Sequence, residues 1–437
     1  MPDKVANART RAQWSSETAF VFSMAAAAVG LGNLWRFPYM VGENGGGAFI
    51  AAYLIALVVV ALPVMMLEIA AGRVRQGNVV CTYRNVARIG AAYGWFVVLL
   101  TVVITSYYLV ITGWTLGYTI DALRFGVRDF GDFTAGYNSI WYFLAVTALA
   151  ALFLIRGVEA IETFSKILMP LLALLIAGLV GFASTLDGWS QAREFLLSWE
   201  PGALANPTLW FFAFGQAFYT LAVGQGYLVT YGSYIPRKTH VPRAALIVAV
   251  TETSVALLAG WMIFPFVFSQ GLDPGAGSEL AFSTLPRVFD DMAGGGWLAM
   301  AFFFMFFAAA FSSCLAGLKV IIAAVEEEFR LHHARAVAIV AGLMLFLGLP
   351  SALSFTPVEL TVAGMPFLDF MDQFAGTNTV IISGVVGAGL LCWLMPPEKI
   401  VYALGARSRW WSWRIFIVGR SLPFLAVGFL IWQFFAG

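Results

Sequence analysis

Long apolar segments separated by short polar stretches recur along almost the whole chain. About 20 apolar residues are enough to cross a bilayer as a helix, and eleven segments approach or exceed that length. They cover residues 18–40, 47–72, 93–122, 140–155, 164–184, 209–231, 244–270, 297–325, 336–349, 370–395 and 415–435. The pattern therefore predicts an all-α polytopic membrane protein with about eleven transmembrane helices.

Two of the predicted spans contain interruptions at matching positions. The first is broken by Gly30, Leu31, Gly32 and Asn33, and the sixth, five spans later, is broken across residues 215–226, which begin and end with glycine. Lipid cannot satisfy the amides and carbonyls of a broken helix, so they must face protein, ion or substrate. Glycines that only let helices pack closely are the alternative. The pairing of the breaks favours a binding site at the midplane of two inverted halves.

Composition agrees with the membrane class. Hydrophobic residues make up 60% of the chain and charged residues 11%, and the mean hydropathy is +0.83. Residues 1–14 are polar and basic and hold no apolar core, so no signal peptide is expected. Cys81, Cys314 and Cys392 lie far apart, which predicts neither a disulfide framework nor a metal site.

The basic residues are distributed asymmetrically between the predicted loops. With the N-terminus inside, the outer loops hold only Arg124, Arg128, Arg193 and Arg287, while most of the 25 Lys and Arg residues fall in the inner loops. This positive-inside bias, together with an odd number of spans, places the N-terminus inside and the C-terminus outside. The net charge of +1 gives no reason to expect a nucleic-acid partner.

Several motifs resemble those of the neurotransmitter:sodium symporters, especially the bacterial amino-acid transporters. They are Trp14, GLGNLWRFP at 30–38, ENGGGAF at 43–49, the pair Tyr107 and Tyr108, WTLG at 114–117 and TYGSY at 230–234. The resemblance runs from Arg11 to about Met395. It implies a leucine-transporter-like fold with two inverted five-helix repeats, in which helices 1 and 6 are broken. The repeats would be residues 15–184 and 206–395, between a cytoplasmic tail at 1–14 and a cytoplasmic loop with the eleventh helix at 396–437.

The same resemblance implies a function. Members of the family carry a small amino acid or amine inward with sodium. The chain is therefore expected to be a sodium-coupled symporter that imports a neutral, bulky hydrophobic or aromatic L-amino acid by alternating access across a bacterial cytoplasmic membrane. A non-transporting amino-acid sensor and a membrane enzyme are the alternatives. No appended signalling domain is expected, which disfavours the sensor. His240, His332 and His333 fall in predicted cytoplasmic loops rather than in a catalytic cluster, so no enzyme is expected.

The resemblance also implies a substrate site. Backbone amides of Leu31 and Gly32, with the Tyr108 hydroxyl, would hold a carboxylate, and carbonyls at the broken ends would accept hydrogen bonds from the ammonium. A packing role is the alternative for Tyr108. The implied residues are Ala28, Leu31, Gly32, Ile104, Tyr108, Tyr219, Thr220, Ala222, Gln225, Ser313 and Gly317.

Two sodium sites are implied, both built from the oxygen ligands that a hard cation prefers. The first would use Ala28, Asn33, Thr220, Glu252 and the substrate carboxylate. The second would use the carbonyls of Ala26, Val29 and Ala309 with the hydroxyls of Ser312 and Ser313. Back-bonding within the helix is the alternative for the two serines.

Glu252 replaces a common asparagine or aspartate of the family. Chloride-dependent members bind an anion among residues that match Tyr53, Gln216 and Thr220, and the serine that completes that site is Ala256 here. The carboxylate is therefore expected to act as a built-in anion, and no chloride is expected. Glu68, the other acidic residue within a span, is expected to be structural.

The resemblance also implies an outer and an inner gate. Arg36 and Asp372 resemble the outer gate. Arg11 and Glu327, with Trp14 nearby, resemble the inner gate, although Glu326 to Glu328 could be a solvated helix end.

In the pocket, Ala222 replaces a serine, Gly317 a bulky aliphatic residue and Gln225 an aromatic one, while Ile104 stays apolar and Tyr219 replaces a phenylalanine lid. The missing side chain at Gly317 is expected to leave room for a substrate ring.

Overall fold

The computed structural model describes residues 13–436, apart from 125, 127, 199–200, 237, 276–281, 283–284, 287–288, 290–293 and 406–408. The α-helices of this part are α1 Glu17–Ala28, α2 Phe37–Glu43, α3 Gly47–Ala56, α4 Leu62–Arg75, α5 Val79–Arg84, α6 Gly90–Leu123, α7 Phe130–Thr134, α8 Asn138–Leu154, α9 Val158–Ala183, α10 Trp189–Leu197, α11 Pro207–Thr220, α12 Tyr227–Gly232, α13 Val241–Ser269, α14 Gly295–Glu328, α15 His333–Leu353, α16 Phe367–Met371, α17 Val380–Leu394, α18 Pro397–Leu404 and α19 Arg409–Ala436. A short hairpin pairs β1 Thr361–Val362 with β2 Met365–Pro366.

Wider π-helical turns connect several of these helices. Gly32–Arg36 precedes α2, Leu57–Ala61 joins α3 to α4, and Asp372–Thr379 joins α16 to α17. A 3₁₀ turn covers Pro201–Ala205. Because α3 and α16 continue through their π turns into α4 and α17, the second and tenth apolar segments each form one long helix, Gly47–Arg75 and Phe367–Leu394.

Seven helices of the described part are long and apolar enough to cross a membrane, and one bent pair would make an eighth span. The bent pair is Glu17–Ala28 with Gly32–Glu43, which meet at 53°. Asn138–Leu154 is apolar but shorter, and the sixth predicted span is divided between α11 and α12. The chain is therefore a multi-pass helical membrane protein, while the count of eleven spans stays a prediction.

The bundle is built around two long helices. In the apolar windows of α6 and α14, 83% and 72% of the residues are buried, against 33% in α9. The bent first span and α12 of the divided sixth span pack against α14, whereas α8, α9 and α15 present large apolar side chains such as Trp141, Leu174 and Phe346 on the outer surface. Both helix breaks consequently lie in the interior rather than against lipid.

Candidate functional site

The first break lies between α1 and its π-helical continuation. The last regular hydrogen bond joins the Val29 amide to the Ala25 carbonyl, and the Asn33 amide then donates to the Gly30 carbonyl at 3.1 Å. The free Leu31 amide donates instead to the Tyr108 hydroxyl on α6, at 2.8 Å. A side chain at position 30 would overlap the hydroxyls of Tyr108 and Ser313. Glycine at this position therefore lets α6 and α14 approach the broken end.

The second break covers the turn 221–226 between α11 and α12. Gly215, the predicted start of the interruption, lies inside α11, so the predicted start is wrong. The helix continues to Thr220 because residues 215–220 keep helical hydrogen bonding, and the chain then turns through positive φ at Ala222, Gly224 and Gly226. Positive φ suits glycine and is uncommon for alanine.

Neighbouring helices supply partners for the polar backbone of the second break. The Gly224 amide donates to Oε1 of Glu68 at 3.0 Å, and its carbonyl accepts from the Ser383 hydroxyl at 2.6 Å. The Gln225 carbonyl accepts from the Thr101 hydroxyl at 2.7 Å. Glu68, which was expected only to be structural, thus stabilises the second break. A carboxylate within an apolar span is the feature of the sequence that points to such a role.

The two breaks meet through α11. Nε2 of Gln216 donates to the Gly32 carbonyl at 3.0 Å and to the Thr220 hydroxyl at 3.2 Å. The ring of Tyr219 covers Gly32 so closely that a Cβ there would lie 2.6 Å from two ring carbons. The broken ends, Tyr108 and Tyr219 therefore enclose one small polar region within an apolar bundle.

Glu252 on α13 borders this region and is fully buried. Its backbone carbonyl accepts from Nδ2 of Asn33 at 3.1 Å, but neither carboxylate oxygen makes a hydrogen bond of ordinary geometry. The buried hydroxyls of Tyr53 and Thr253 are also without such a partner, and Tyr53 lies close to Thr220. A buried, unpaired carboxylate is costly in its ionised form unless a cation accompanies it. The oxygen atoms here suit a hard cation.

A second oxygen cluster joins α1 to α14. The Ser312 hydroxyl donates to the carbonyls of Ala26 at 2.6 Å and Ala309 at 2.8 Å. The Ser313 hydroxyl lies 3.5 Å from the Val29 carbonyl and 3.4 Å from the Ala309 carbonyl. All five residues expected at the second sodium site are thus brought together. The back-bonding alternative is also present, since both hydroxyls reach the Ala309 carbonyl of their own helix.

Aromatic and ionic contacts cover the outer side of the region. Arg36 is buried, donates to Oε1 of Gln216 at 2.5 Å and lies over the Tyr219 ring, 5.0 Å from its centroid. Asp372 accepts from the Tyr107 hydroxyl at 2.9 Å and interacts electrostatically with Arg36. The predicted outer pair is therefore assembled above Tyr219.

The inner side is closed around Trp14, which is buried. Its backbone amide donates to the Tyr234 carbonyl at 3.0 Å, and its indole donates to the Tyr231 carbonyl at 3.1 Å. The Glu327 carboxylate accepts a hydrogen bond from the backbone amide of Asn78 at 2.9 Å. Arg11, the expected partner of Glu327, lies outside the described residues.

The space beside Gly317 is occupied, contrary to the expectation of room for a ring. A Cβ at this position would lie 2.5 Å from the Thr105 hydroxyl oxygen and 2.7 Å from the Tyr227 hydroxyl oxygen. Sequence reasoning missed these neighbours because Thr105 on α6 and Tyr227 on α12 are distant in the chain. Ile104, Ala222 and Gln225, the other expected pocket residues, are buried in the bundle.

Comparison with known proteins places these observations in context. The sequence profile of the sodium:neurotransmitter symporter family matches residues 11–128 and 122–431. A sodium-dependent transporter of Haemophilus influenzae is 31% identical over 404 residues, which cover 87% of this chain and 88% of the relative. The sodium-dependent transporter YhdH of Bacillus subtilis is 34% identical over 408 residues and 89% of this chain, with 88% of the relative covered.

Solved structures agree with these relatives. The crystal structure of MhsT in complex with L-phenylalanine superposes with a TM-score of 0.89 at 32% identity and covers 96% of this chain and 99% of the MhsT chain. The predicted family is thereby confirmed, and the relatives support a transporter role. With its paired helix breaks and this agreement along nearly its whole length, the chain belongs to the sodium:neurotransmitter symporter family.

Proposed function

We propose that this protein is a sodium-coupled symporter that imports a neutral, bulky L-amino acid by alternating access. The observation that carries the proposal is the convergence of Asn33, Thr220 and the unpaired Glu252 carboxylate at the point where the two broken helices meet. A cation bound there would compensate a buried negative charge. A substrate carboxylate beside it would complete the cation's coordination and couple the two ligands directly.

The broken ends support a zwitterionic substrate. The amides of Leu31 and Gly32 and the Tyr108 hydroxyl are suited to a carboxylate, because helix N-terminal amides and a phenol donate hydrogen bonds to anions. Leu31 already donates to Tyr108, so binding would exchange this contact for one with the substrate. Amine-carrying members of the family have an aspartate where this chain has Gly30, which favours a substrate with its own carboxylate.

The side chain of the substrate is bounded by aromatic and polar groups. MhsT, which was crystallised with L-phenylalanine, is similar along nearly the whole chain, and this supports a bulky apolar or aromatic substrate. The hydroxyls of Thr105 and Tyr227 lie beside Gly317, however, and Gln225 adds an amide. A ring that carries a hydrogen-bonding group, as in tyrosine or tryptophan, would suit this lining better than a purely apolar side chain.

Two sodium ions are proposed, one at Asn33, Thr220 and Glu252 and one at the cluster around Ser312. The second would displace the hydroxyl hydrogen bonds to the carbonyls of Ala26 and Val29 and would hold α1 to α14. An ion that binds only when α1 packs against α14 in this way favours the conformation in which the two helices are packed together. A ligand shifts an equilibrium by its differential affinity for the two states. Sodium would thereby prepare the site for substrate.

Glu252 supports transport without chloride. The carboxylate supplies the negative charge that a chloride ion would otherwise provide beside the first sodium. When sodium leaves on the cytoplasmic side, the unpaired carboxylate would take up a proton for the return step, because burying a bare charge is costly.

Uptake into proteoliposomes tests this function. Purified protein is reconstituted, an inward sodium gradient is applied, and a panel of labelled amino acids is screened against a matched potassium gradient. We expect accumulation of one or a few bulky neutral amino acids with sodium only, and loss of accumulation when an ionophore dissipates the gradient. Sodium-dependent binding without any uptake would instead favour the sensor.

A further inference from the structure

Lys319 is a buried basic residue that the proposed transport cycle does not yet use. It lies within α14 and is 5% exposed, and its ammonium is 5.6 Å from the centroid of the Tyr234 ring. No carboxylate of the described residues lies within ion-pair distance of this ammonium. An ionisable side chain inside a membrane bundle without a charged partner is expensive, which points to a function.

The position of Lys319 relates it to the second oxygen cluster. Lys319 is the seventh residue after Ser312. This spacing places the two residues on nearly the same face of the helix, two turns and about 10 Å apart along the axis. Ser312 on that face contacts the Ala26 carbonyl of α1. Lys319 therefore lies on the α1 side of α14, displaced from the cluster toward the end of the helix at Glu328.

Tyr234 connects the lysine to the inner closure. Its carbonyl accepts from the Trp14 amide at 3.0 Å, and its ring packs edge-on against the Trp14 ring with 6.1 Å between centroids. The ammonium is thus held by an aromatic ring that belongs to the layer covering the inner side. Movement of this layer would remove the cation–π contact between the ammonium and Tyr234.

We propose that Lys319 is a tethered cation that lowers the affinity of the second sodium site once the inner side opens. This inference rests on the proposed function. In the closed state Tyr234 holds the ammonium away from the cluster. When Trp14 and Tyr234 move away, the side chain is free to lean toward Ser312, since side chains on a helix point toward its N-terminus.

The expected effect follows from the distance between the charges. At an effective dielectric constant of about 20, an ammonium that has leaned to within about 10 Å of the sodium changes sodium occupancy by roughly tenfold, whereas an ammonium held farther away against Tyr234 acts less. Because the lysine acts mainly in the open state, it would promote release of sodium to the cytoplasm and oppose its return while leaving binding from outside nearly unchanged. The lysine would in this way give direction to the release step.

Inhibition of uptake by internal sodium tests the proposal. Proteoliposomes are loaded with increasing sodium at constant ionic strength and pH, and initial uptake is measured at a fixed, saturating external sodium concentration. For Lys319→Gln we expect half-inhibition at an internal sodium concentration about tenfold lower than for the unmodified protein, with external sodium dependence changed less than threefold. Lys319→Arg should behave like the unmodified protein because it keeps the charge.

Two further variants make the outcome interpretable. Lys399→Gln removes a positive charge from an exposed position on α18 and should not change internal sodium inhibition. Lys319→Met, which keeps the length of the side chain, replaces the glutamine variant if that protein does not fold. Equal sensitivity to internal sodium in the charged and neutral variants, while uptake still requires external sodium, would overturn the role of Lys319. Absence of sodium-dependent uptake in the unmodified protein would overturn the proposed function instead.

Discussion

Glu252 is the residue whose environment is hardest to explain without a bound cation. It is fully buried, its backbone carbonyl contacts Asn33, and both carboxylate oxygens lack hydrogen bonds of ordinary geometry. The buried hydroxyl of Tyr53 lies close to those of Thr220 and Thr253. Polar groups buried without partners are rare in proteins because each costs about 1–3 kcal/mol. A sodium ion coordinated here would satisfy several of them at once.

Replacing Glu252 by glutamine should separate its charge from its size. The amide preserves the volume but removes the negative charge, so we expect Glu252→Gln to lower sodium affinity and to depress uptake strongly at neutral pH. An acidic interior should stimulate uptake by the unmodified protein, because it supplies the proton for the return step. This stimulation should disappear in Glu252→Gln, because no carboxylate remains to take up a proton. Initial uptake as a function of external sodium and internal pH measures both effects.

Chloride provides the control for this interpretation. The unmodified protein should transport equally well in chloride and in gluconate. Glu252→Gln combined with Ala256→Ser introduces a hydroxyl of the kind that completes the anion site in chloride-dependent members, so part of the activity should return with chloride alone. If uptake by the unmodified protein depends on chloride, Glu252 is a sodium ligand at most.

Gly317 is a second residue with a sharp prediction. A branched side chain there would collide with the hydroxyls of Thr105 and Tyr227, and overpacking costs about 1–3 kcal/mol. We expect Gly317→Ile to weaken binding of bulky amino acids by roughly one to two decades, with smaller aliphatic amino acids less affected. Competition binding with a panel of amino acids measures the ranking.

A matched pair tests whether the crowding is local. Gly317→Ala should be partly rescued by Tyr227→Phe, which removes the hydroxyl 2.7 Å from the new Cβ. Identical substrate rankings in the unmodified protein and Gly317→Ile would show that this position does not line the pocket.

At the scale of elements, the apolar pattern predicted helices well but located only one break correctly. The predicted spans 93–122 and 244–270 agree with α6 and α13 within three residues. The break after Ala28 could be predicted because two glycines and an asparagine interrupt an apolar run. The second break begins at Leu221 rather than at Gly215, since glycine within a buried helix also serves close packing, as it does against Ile381.

Contacts between elements could not be predicted from the apolar pattern. Glu68 on α4 and Gly224 in the second break are far apart in the chain, and only the packing of the helices brings the carboxylate to that amide. The same holds for Thr105 and Tyr227 beside Gly317. The oxygen cluster around Ser312 was anticipated only through the family resemblance, because residues so distant in sequence carry no shared local pattern.

Glu68 should stabilise the broken helix through its hydrogen bond to Gly224. Glu68→Ala leaves a buried amide without a partner, which costs about 1–3 kcal/mol in the free energy of unfolding, so the melting temperature in detergent should fall. Glu68→Gln keeps an acceptor oxygen of the same reach and should fall much less. Equal losses in the two variants would show that the charge, rather than the acceptor, stabilises the break.

At the scale of the whole molecule, both sides of the central site are closed in this structure. Arg36 and Tyr219 cover the side expected to face outward, and Trp14 with Tyr234 covers the side expected to face inward. Alternating access requires these two closures to open in turn, because a transporter open on both sides would dissipate the gradient. Ligands that bridge the broken helices are well placed to control the exchange, since they hold α1 against α14 and α13.

Reciprocal coupling between sodium and substrate tests the central claim most directly. Linkage requires that substrate raise sodium affinity by the same factor by which sodium raises substrate affinity. Equilibrium binding to purified protein, with potassium replacing sodium, measures both factors. We predict equal factors well above one, and their collapse toward one in Asn33→Ala while the melting temperature changes little. Substrate binding that is indifferent to the replacement of sodium by potassium would contradict the account.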